Sequence, residues 1–221
     1  MIIKRSTAAA GLLGGLLLMS PPALAEGLTG PVSPTELKTA LLLPEDLGAE
    51  FVHNKIRNRE FLDAETAHTK ACAKAIKGLA PFSRSKAATW LMRDGVPEGV
   101  REFIVSGTRA QLSTLERAAK VMVRDCGQVR AGTKNMKKTI TKLPVGRLGD
   151  SAYGIRYRAE NPATDQGPVM AVDIVIIKVG DAMIALEHSG FYGRFDPDLT
   201  RPAAEKAATR LREALESSSR G

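Results

Sequence analysis

Aromatic side chains are scarce in this chain: they make up 5% of its 221 residues, and Trp90 is the only tryptophan. A platform for single-stranded nucleic acid needs several stacking rings beside a basic groove, so no nucleic-acid partner is expected. The same scarcity argues against a broad sugar-stacking surface. Core packing accounts for Trp90 more simply than ligand stacking does.

Motifs for common enzymatic chemistry are also missing. The sequence has no Walker loop and no dinucleotide fingerprint. Its histidines, His53, His68 and His188, have no metal-ligand spacing, and the serine in GDSAY lacks the second glycine of a nucleophile elbow. We therefore expect a protein that is not an enzyme and that needs no metal or other cofactor. A secreted hydrolase with a dispersed site is the weaker alternative, because catalytic triads assemble in space.

The apolar run near the start is short, since it covers only residues 7–19 and a membrane-spanning helix takes about 20 apolar residues. It follows Lys4 and Arg5 and precedes a small-residue motif that ends at Ala25, the order typical of a secretory signal peptide. We expect a secreted, extracytoplasmic protein without a transmembrane span after cleavage behind Ala25. An uncleaved anchor helix is the alternative. No cysteine lies near the cleavage site, so the thioether anchor of a lipoprotein is not expected.

Positive charge is in moderate excess. The formal net charge is +8, and it falls to +6 once Lys4 and Arg5 leave with the signal peptide. The densest basic stretch, KNMKKTITK at residues 134–142, is interpreted as a solvated loop leading into a strand rather than as a polyanion site. This balance supports a weak association with anionic surfaces.

Two cysteines are present, Cys72 and Cys126. In an exported chain an even number of cysteines favours a disulfide. Apolar residues recur every three or four positions around each cysteine, so both thiols face inward on their own helices. A bridge would close a loop of about 55 residues and contribute roughly 4 kcal/mol in the chain-entropy model. Two buried free thiols or a reactive pair are the alternative, although no C-x-x-C spacing supports redox catalysis.

Local signals mark where helices and strands begin and end. Ser33, Pro34 and Glu36 supply a cap, a first-turn proline and a capping box, and Pro44 is expected to stop that helix before an extended segment. Residues 173–190 predict two strands around a two-residue Gly-Asp turn. The other predicted elements are helices over residues 63–77 with Gly78 as cap, over 109–125, and from a cap at Thr200, and strands over 87–93, 101–107, 136–143 and 151–158.

Strands occur in consecutive runs and do not alternate with helices, which favours an α+β domain. Residues 169–178 are apolar on both faces apart from Asp173, a pattern typical of a central strand covered from both sides. We predict a single α+β domain with a mostly antiparallel sheet, packed helices and one disulfide.

Asp173 is a carboxylate among valines and isoleucines, and a buried charge needs a partner. Arg156 or Arg158 on a neighbouring strand is expected to pair with it, in preference to a ligand contact. The aromatic residues of GFYGRFDPD are expected to plug the end of the core, with the mouth of a cleft as the alternative. If a ligand cleft exists, its candidate residues are Trp90, Asp173, His188 and Tyr192.

Four features resemble one known family. ELKTALLLPEDLGAEF is similar to its opening helix and turn, and two helical cysteines flank a hairpin. LPVGRLGDSAYGIRYR and VIIKVGDAMIALEHSG are similar to its later strands, before a closing helix with an RLR run. Residues 35–216 therefore resemble the PknH-like extracellular sensor domain family of actinobacterial exported proteins. The resemblance implies an extracytoplasmic domain with a mixed sheet and helices around a cleft, which senses or binds a ligand without catalysis.

The chain departs from the family pattern because it has no kinase domain, no lipobox cysteine and a single cysteine pair. We expect a signal peptide over residues 1–25, a flexible segment over 26–34, the sensor domain over 35–216 and a disordered tail over 217–221. The expected partner is an unidentified small molecule or envelope component. Docking on anionic polymers or lipids of the envelope is the alternative.

Overall fold

The computed structural model describes residues 32–56, 69–126, 128–133, 136–163 and 168–218. The predicted signal peptide lies outside the described residues, as do His68 and the predicted start of the first cysteine helix. In the described part of the chain, no helix is long and apolar enough to cross a membrane.

The described residues form six helices and eight strands. The helices are α1 Pro34–Thr39, α2 Pro44–Leu47, α3 Lys70–Gly78, α4 Ala80–Ser83, α5 Arg109–Cys126 and α6 Thr200–Ser218. The strands are β1 Phe51–His53, β2 Ala87–Arg93, β3 Glu98–Ser106, β4 Gln128–Thr133, β5 Met136–Lys142, β6 Ser151–Glu160, β7 Pro168–Val179 and β8 Ala182–Phe191.

All eight described strands belong to one sheet, in the order β1-β2-β3-β8-β7-β6-β5-β4. Every neighbouring pair in that order is antiparallel. The predicted antiparallel α+β domain is therefore confirmed, whereas the mixed sheet that the family resemblance implied is not observed among the described strands. The pairing of β3 with β8 places two distant parts of the sequence side by side in the middle of the sheet.

Helices cover the sheet on both faces, because strands β7 and β8 are apolar on both sides. One core lies between the sheet and helices α1 and α6, and it includes Leu37, Val175 and Leu211. The other lies between the opposite face and helices α3, α4 and α5, and it includes Ile176 and Met122. The prediction that the β7 segment is a central strand covered from both sides is confirmed.

The N-terminal part of the described chain is held in place. Ser33 forms the predicted capping box with Glu36, through hydrogen bonds of 2.8 and 3.2 Å. The carbonyl of Val32 accepts a hydrogen bond from the Ser106 hydroxyl. Residues 32–34 therefore have defined contacts, and the rest of the predicted flexible segment, residues 26–31, lies outside the described residues. Helix α1 ends at Thr39, before Pro44, which begins the short helix α2.

The disulfide joins Cys72 of α3 to Cys126 of α5, with the two Cα atoms 5.2 Å apart. This confirms the predicted pairing. Gly78 is not the C-terminal cap of α3: it is the last helical residue, and Leu79 in a right-handed conformation caps the helix. A Cβ atom on Gly78 would lie 2.9 Å from the Cβ atom of Ala118 on α5. Gly78 therefore allows the two disulfide-linked helices to approach each other.

The β7–β8 hairpin turns at Gly180 and Asp181, as predicted. Gly180 has φ of 53°, a conformation that glycine adopts without steric cost. Its N–H donates to the carboxylate of Asp150, 2.9 Å away, in the segment that enters β6. Several elements differ from the prediction. Strand β3 begins at Glu98 inside the predicted turn, β6 continues to Glu160, and α6 continues to Ser218 in the predicted tail. Strand β4 and helix α4 were not predicted.

Candidate functional site

A row of polar residues crosses the sheet on the face that packs against α6. The strand register places Arg156 of β6 opposite Asp173 of β7, and Asp173 opposite His188 of β8. Leu186 belongs to the core beneath α6, and residues two apart on a strand share a face, so His188 points the same way. The three polar side chains therefore lie beside one another under the first turn of α6.

Asp173 is fully buried and is bound by two arginines. Arg156 donates from Nε and Nη2 to Oδ1 and Oδ2, at 2.9 and 2.7 Å, and Arg158 donates from Nη1 to Oδ1 at 2.9 Å. Burial by itself would raise the pKa of Asp173, but the Arg156 hydrogen bonds and the two positive charges bring that pKa below its ordinary value. The predicted ion pair is confirmed, and it involves both candidate arginines.

Thr200 connects Asp173 to His188. Its hydroxyl donates to Oδ2 of Asp173 at 3.0 Å, and its oxygen lies 2.8 Å from Nδ1 of His188. Because the hydroxyl has a single hydrogen, the oxygen accepts from an Nδ1–H. Nε2 of His188 lies 3.1 Å from a carboxylate oxygen of Glu98, which also accepts. Both ring nitrogens of His188 are therefore engaged within this buried chain, Nδ1 by Thr200 and Nε2 by Glu98.

Glu98 forms the other end of this buried chain. Its second oxygen lies 2.8 Å from Nη1 of Arg93, and its first oxygen also accepts from the backbone N–H of Asp196. Burial would raise the pKa of Glu98, but hydrogen bonds from His188 and Asp196 and the charge of Arg93 lower that pKa below its ordinary value. Strands β3, β7 and β8 and the start of α6 are thus linked through buried side chains, and arginines of β2 and β6 pair with the two carboxylates of this chain.

The segment after β8 closes over this chain. Phe195 stacks on the His188 ring with centroids 4.3 Å apart, and the Arg158 guanidinium lies 4.4 Å from the Phe195 centroid. Gly190 makes this return possible, because a Cβ atom there would collide with the carbonyl oxygen of Arg194. Of the three clustered aromatic residues, Phe195 is half-buried against His188, whereas Phe191 and Tyr192 are exposed, so the predicted plugging of the core by all three is not observed.

Thr200, His188 and Glu98 follow the hydroxyl–imidazole–carboxylate order of a hydrolase triad. The similarity to a hydrolase triad is limited to the order in which the three side chains are hydrogen-bonded. The Thr200 hydroxyl donates its hydrogen to Asp173, so the imidazole does not receive it, and Thr200 is only 3% exposed. A nucleophile needs a base that takes its proton and a path to the substrate. The arrangement instead links β3, β7, β8 and the start of α6 to one another.

An open groove of about 450 Å³ lies beside the buried chain. Its walls are the segment between β5 and β6 and the start of α6, and Arg156 lines it from the sheet. Thr200 is shared between the groove lining and the buried chain. The other lining residues are Leu143, Pro144, Val145, Leu148, Pro197, Asp198, Arg201, Pro202 and Ala204.

The structure brings two of the four predicted cleft residues together. Asp173 and His188 are adjacent, joined through Thr200, and both are fully buried. Trp90 lies on the opposite face of the sheet, since its neighbour Leu91 belongs to the core beneath α1 and α6. Tyr192 follows the end of β8, with 75% of its surface exposed and φ of 54°. Whether any of the four contacts a ligand stays a prediction.

Sequence reasoning missed Glu98 and misassigned Thr200. Glu98 sits in DGVPEG, whose composition is that of an exposed turn, and it is 90 positions from its partner His188. Thr200 has the sequence features of a helix cap, yet it begins α6 with its side chain turned into the core. Among the described residues, no group of three or more His, Cys, Asp or Glu side chains forms a metal site.

Comparison with known proteins finds a match for the fold but none for the sequence. No family model matches the chain, and no curated protein matches it. The fold does have a match among solved structures. The crystal structure of the extracellular domain of PknH from Mycobacterium tuberculosis matches 85% of this chain and 98% of that one, with a TM-score of 0.53 and 12% identity. At this identity the match concerns the fold, and it agrees with the resemblance drawn from the sequence.

Proposed function

We propose that this chain is an exported, non-catalytic sensor-like domain that binds a small molecule or envelope component outside the cytoplasm. The observation that carries the proposal is the fold match, which spans nearly the whole extracellular domain of PknH. The Cys72–Cys126 disulfide fits an oxidising compartment. The predicted signal peptide over residues 1–25 provides the route of export.

The buried polar chain supports a binding role over a catalytic one. Asp173, His188, Glu98 and Thr200 are each bonded to one another or to arginines, and each is at most 3% exposed. Groups held in this way stabilise the architecture around the groove and do not offer a reactive atom to a substrate. The groove itself is of a size typical of small-molecule sites.

Weak docking on anionic envelope polymers is a second candidate function. It is supported by the lysines of β5, where Lys137 and Lys142 are exposed near one edge of the sheet. Association with vesicles containing anionic lipid should then disappear when the salt concentration is raised, because exposed charges are screened. Association that is insensitive to salt contradicts this candidate.

Native mass spectrometry of the exported protein tests the main proposal. The full chain is expressed with its N-terminal segment in a bacterial host, recovered from the extracytoplasmic fraction, and incubated with an extract of cell-envelope small molecules. We expect a chain that begins at Glu26, lacks two hydrogens because of the disulfide, and carries an added mass that denaturation removes. A chain that stays uncleaved, or that never acquires an added mass, contradicts the proposal. Turnover of a hydrolase substrate panel that His188→Ala abolishes would also overturn it.

A further inference from the structure

The groove beside α6 combines an apolar floor with rigid rims. Val145, Leu148 and Ala204 are buried beneath it, and Pro144, Pro197 and Pro202 stand along its edges. Proline fixes its own φ angle, so these rims lose little freedom when a ligand enters. The groove has a volume of about 450 Å³. An apolar body of modest size fits this space.

Arg156 supplies the groove with a fixed cationic group. Asp173 occupies the side of the guanidinium formed by Nε and Nη2. The end of the guanidinium formed by Nη1 and the remaining N–H of Nη2 has no hydrogen-bond partner among the described residues. Asp173 is fully buried and holds the Arg156 side chain in place. The free end of the guanidinium is therefore already positioned to donate hydrogen bonds to an anion. Two parallel N–H groups match the two oxygens of a carboxylate.

We propose that this groove binds a small apolar carboxylic acid, whose carboxylate pairs with the free end of Arg156 while its apolar body lies on Val145 and Leu148. The inference deepens the proposed function, on which it rests, by giving the chemical class of the ligand. A monoanion suits the site better than a phosphate dianion for two reasons. Asp198 adds a negative charge to the lining, and the nearby Arg201 is already paired with Glu205 at 2.8 Å.

Titrations of the full mature chain with simple acids test the proposal. The probes are hexanoate and phenylacetate, with hexanamide and phenylacetamide as neutral controls of the same shape, and inorganic phosphate as a small anion without an apolar body. In ¹H–¹⁵N NMR spectra we expect the acids to shift the backbone signals of residues 143–148 and 198–204 and the Nε–H signal of Arg156. The amides should bind at least about tenfold more weakly, since a charge-assisted hydrogen bond is lost.

Matched variants separate binding from folding. Arg156→Gln and Arg158→Gln each remove one arginine from Asp173, but only Arg156 lines the groove. We expect acid binding to weaken at least about tenfold in Arg156→Gln and to persist in Arg158→Gln. Asp198→Asn, at an exposed position, should strengthen binding because it removes a repulsive charge.

Three results would overturn the inference. Acids and amides could bind equally well, both arginine variants could lose binding equally, or phosphate could bind as tightly as the acids. A set of shifted signals away from the groove would also overturn it. Those results leave the proposed function standing if the envelope extract still yields a bound mass. The extract experiment could instead fail while the simple acids bind in the groove. That result would contradict the proposed sensor-like function and support the carboxylate site.

Discussion

Arg156 and Asp173 face each other across β6 and β7, and the guanidinium binds the fully buried carboxylate through two hydrogen bonds of 2.9 and 2.7 Å. The first prediction is that Asp173→Asn lowers the free energy of unfolding by about 3–5 kcal/mol, because it leaves Arg156 and Arg158 without a counter-charge. Urea unfolding followed by circular dichroism measures the loss. The matched control is Glu205→Gln, which breaks the exposed pair with Arg201 and should cost less than about 1 kcal/mol. Similar losses in both variants contradict the structural role of Asp173.

The second prediction concerns the hydroxyl of Thr200. Thr200→Val keeps the shape of the side chain but leaves Nδ1 of His188 and Oδ2 of Asp173 without that partner, at a cost of about 1–3 kcal/mol. Thr200→Ser keeps the hydroxyl and should be the milder change. Urea unfolding of the two variants gives the comparison. In the unmodified protein, ¹⁵N NMR of the His188 ring should show hydrogen on both nitrogens, and a ring with one unprotonated nitrogen contradicts the assigned hydrogen bonds.

Short-range patterns in the sequence were sufficient for most of the fold. The Ser33 capping box, the Gly180-Asp181 turn and the two inward-facing cysteines depend on residues close in sequence, and the structure has all three. The pairing of Asp173 with arginines also followed from a simple rule, because a charge in an apolar strand needs a partner close by.

What the sequence could not supply depends on contacts between distant segments. Glu98 looks like a turn residue until β3 pairs with β8 and brings it to His188. Gly78 looks like a helix cap until α5 is packed against α3. The groove could not be predicted for the same reason, since its walls come from the segment before β6 and from the start of α6, more than 50 positions apart.

The third prediction tests the close approach of α3 and α5. Gly78→Ala should lower the free energy of unfolding by about 1–3 kcal/mol, because the new methyl group overlaps Ala118. If Gly78 were only a helical residue without this close contact, alanine would be neutral or stabilising. The double variant with Ala118→Gly makes room again, so the two changes should be non-additive by about 0.5–3 kcal/mol in urea unfolding. Additive effects contradict the proposed contact.

The fourth prediction concerns the disulfide between α3 and α5. Its two cysteines are 54 positions apart, and in the chain-entropy model a loop of this length contributes about 4 kcal/mol. The double variant Cys72→Ala with Cys126→Ala should lose about that much stability in urea unfolding. Intact-mass analysis without reductant should find no alkylatable thiol in the unmodified protein. Two alkylated thiols, or a double variant as stable as the parent, contradict the bridge.

Glu102 is another buried carboxyl group, and its surroundings differ from those of Asp173. One oxygen accepts from the backbone N–H of Leu42 at 2.7 Å, and the other has no hydrogen-bond partner among the described residues. Arg210 and Asp46 are the charged side chains that act on it, with opposite effects. Burial raises the pKa of Glu102 from 4.5 to about 8, and the hydrogen bond and Arg210 offset only part of that increase.

The fifth prediction follows from the sign of this shift. Between pH 4.5 and about 8 the folded protein retains a proton on Glu102 that the unfolded chain has released, so the free energy of unfolding falls as the pH rises through this range. Glu102→Gln removes this contribution, and the variant should gain stability over the parent as the pH increases from 6 to 9. Some slope remains, because burial also raises the pKa of Glu187. Urea unfolding at pH 6, 7.5 and 9 measures the trend, with Glu205→Gln as the exposed control. Parallel pH profiles for Glu102→Gln and the parent would show that Glu102 is ionised in the folded protein at neutral pH, with the Arg210 charge outweighing its burial.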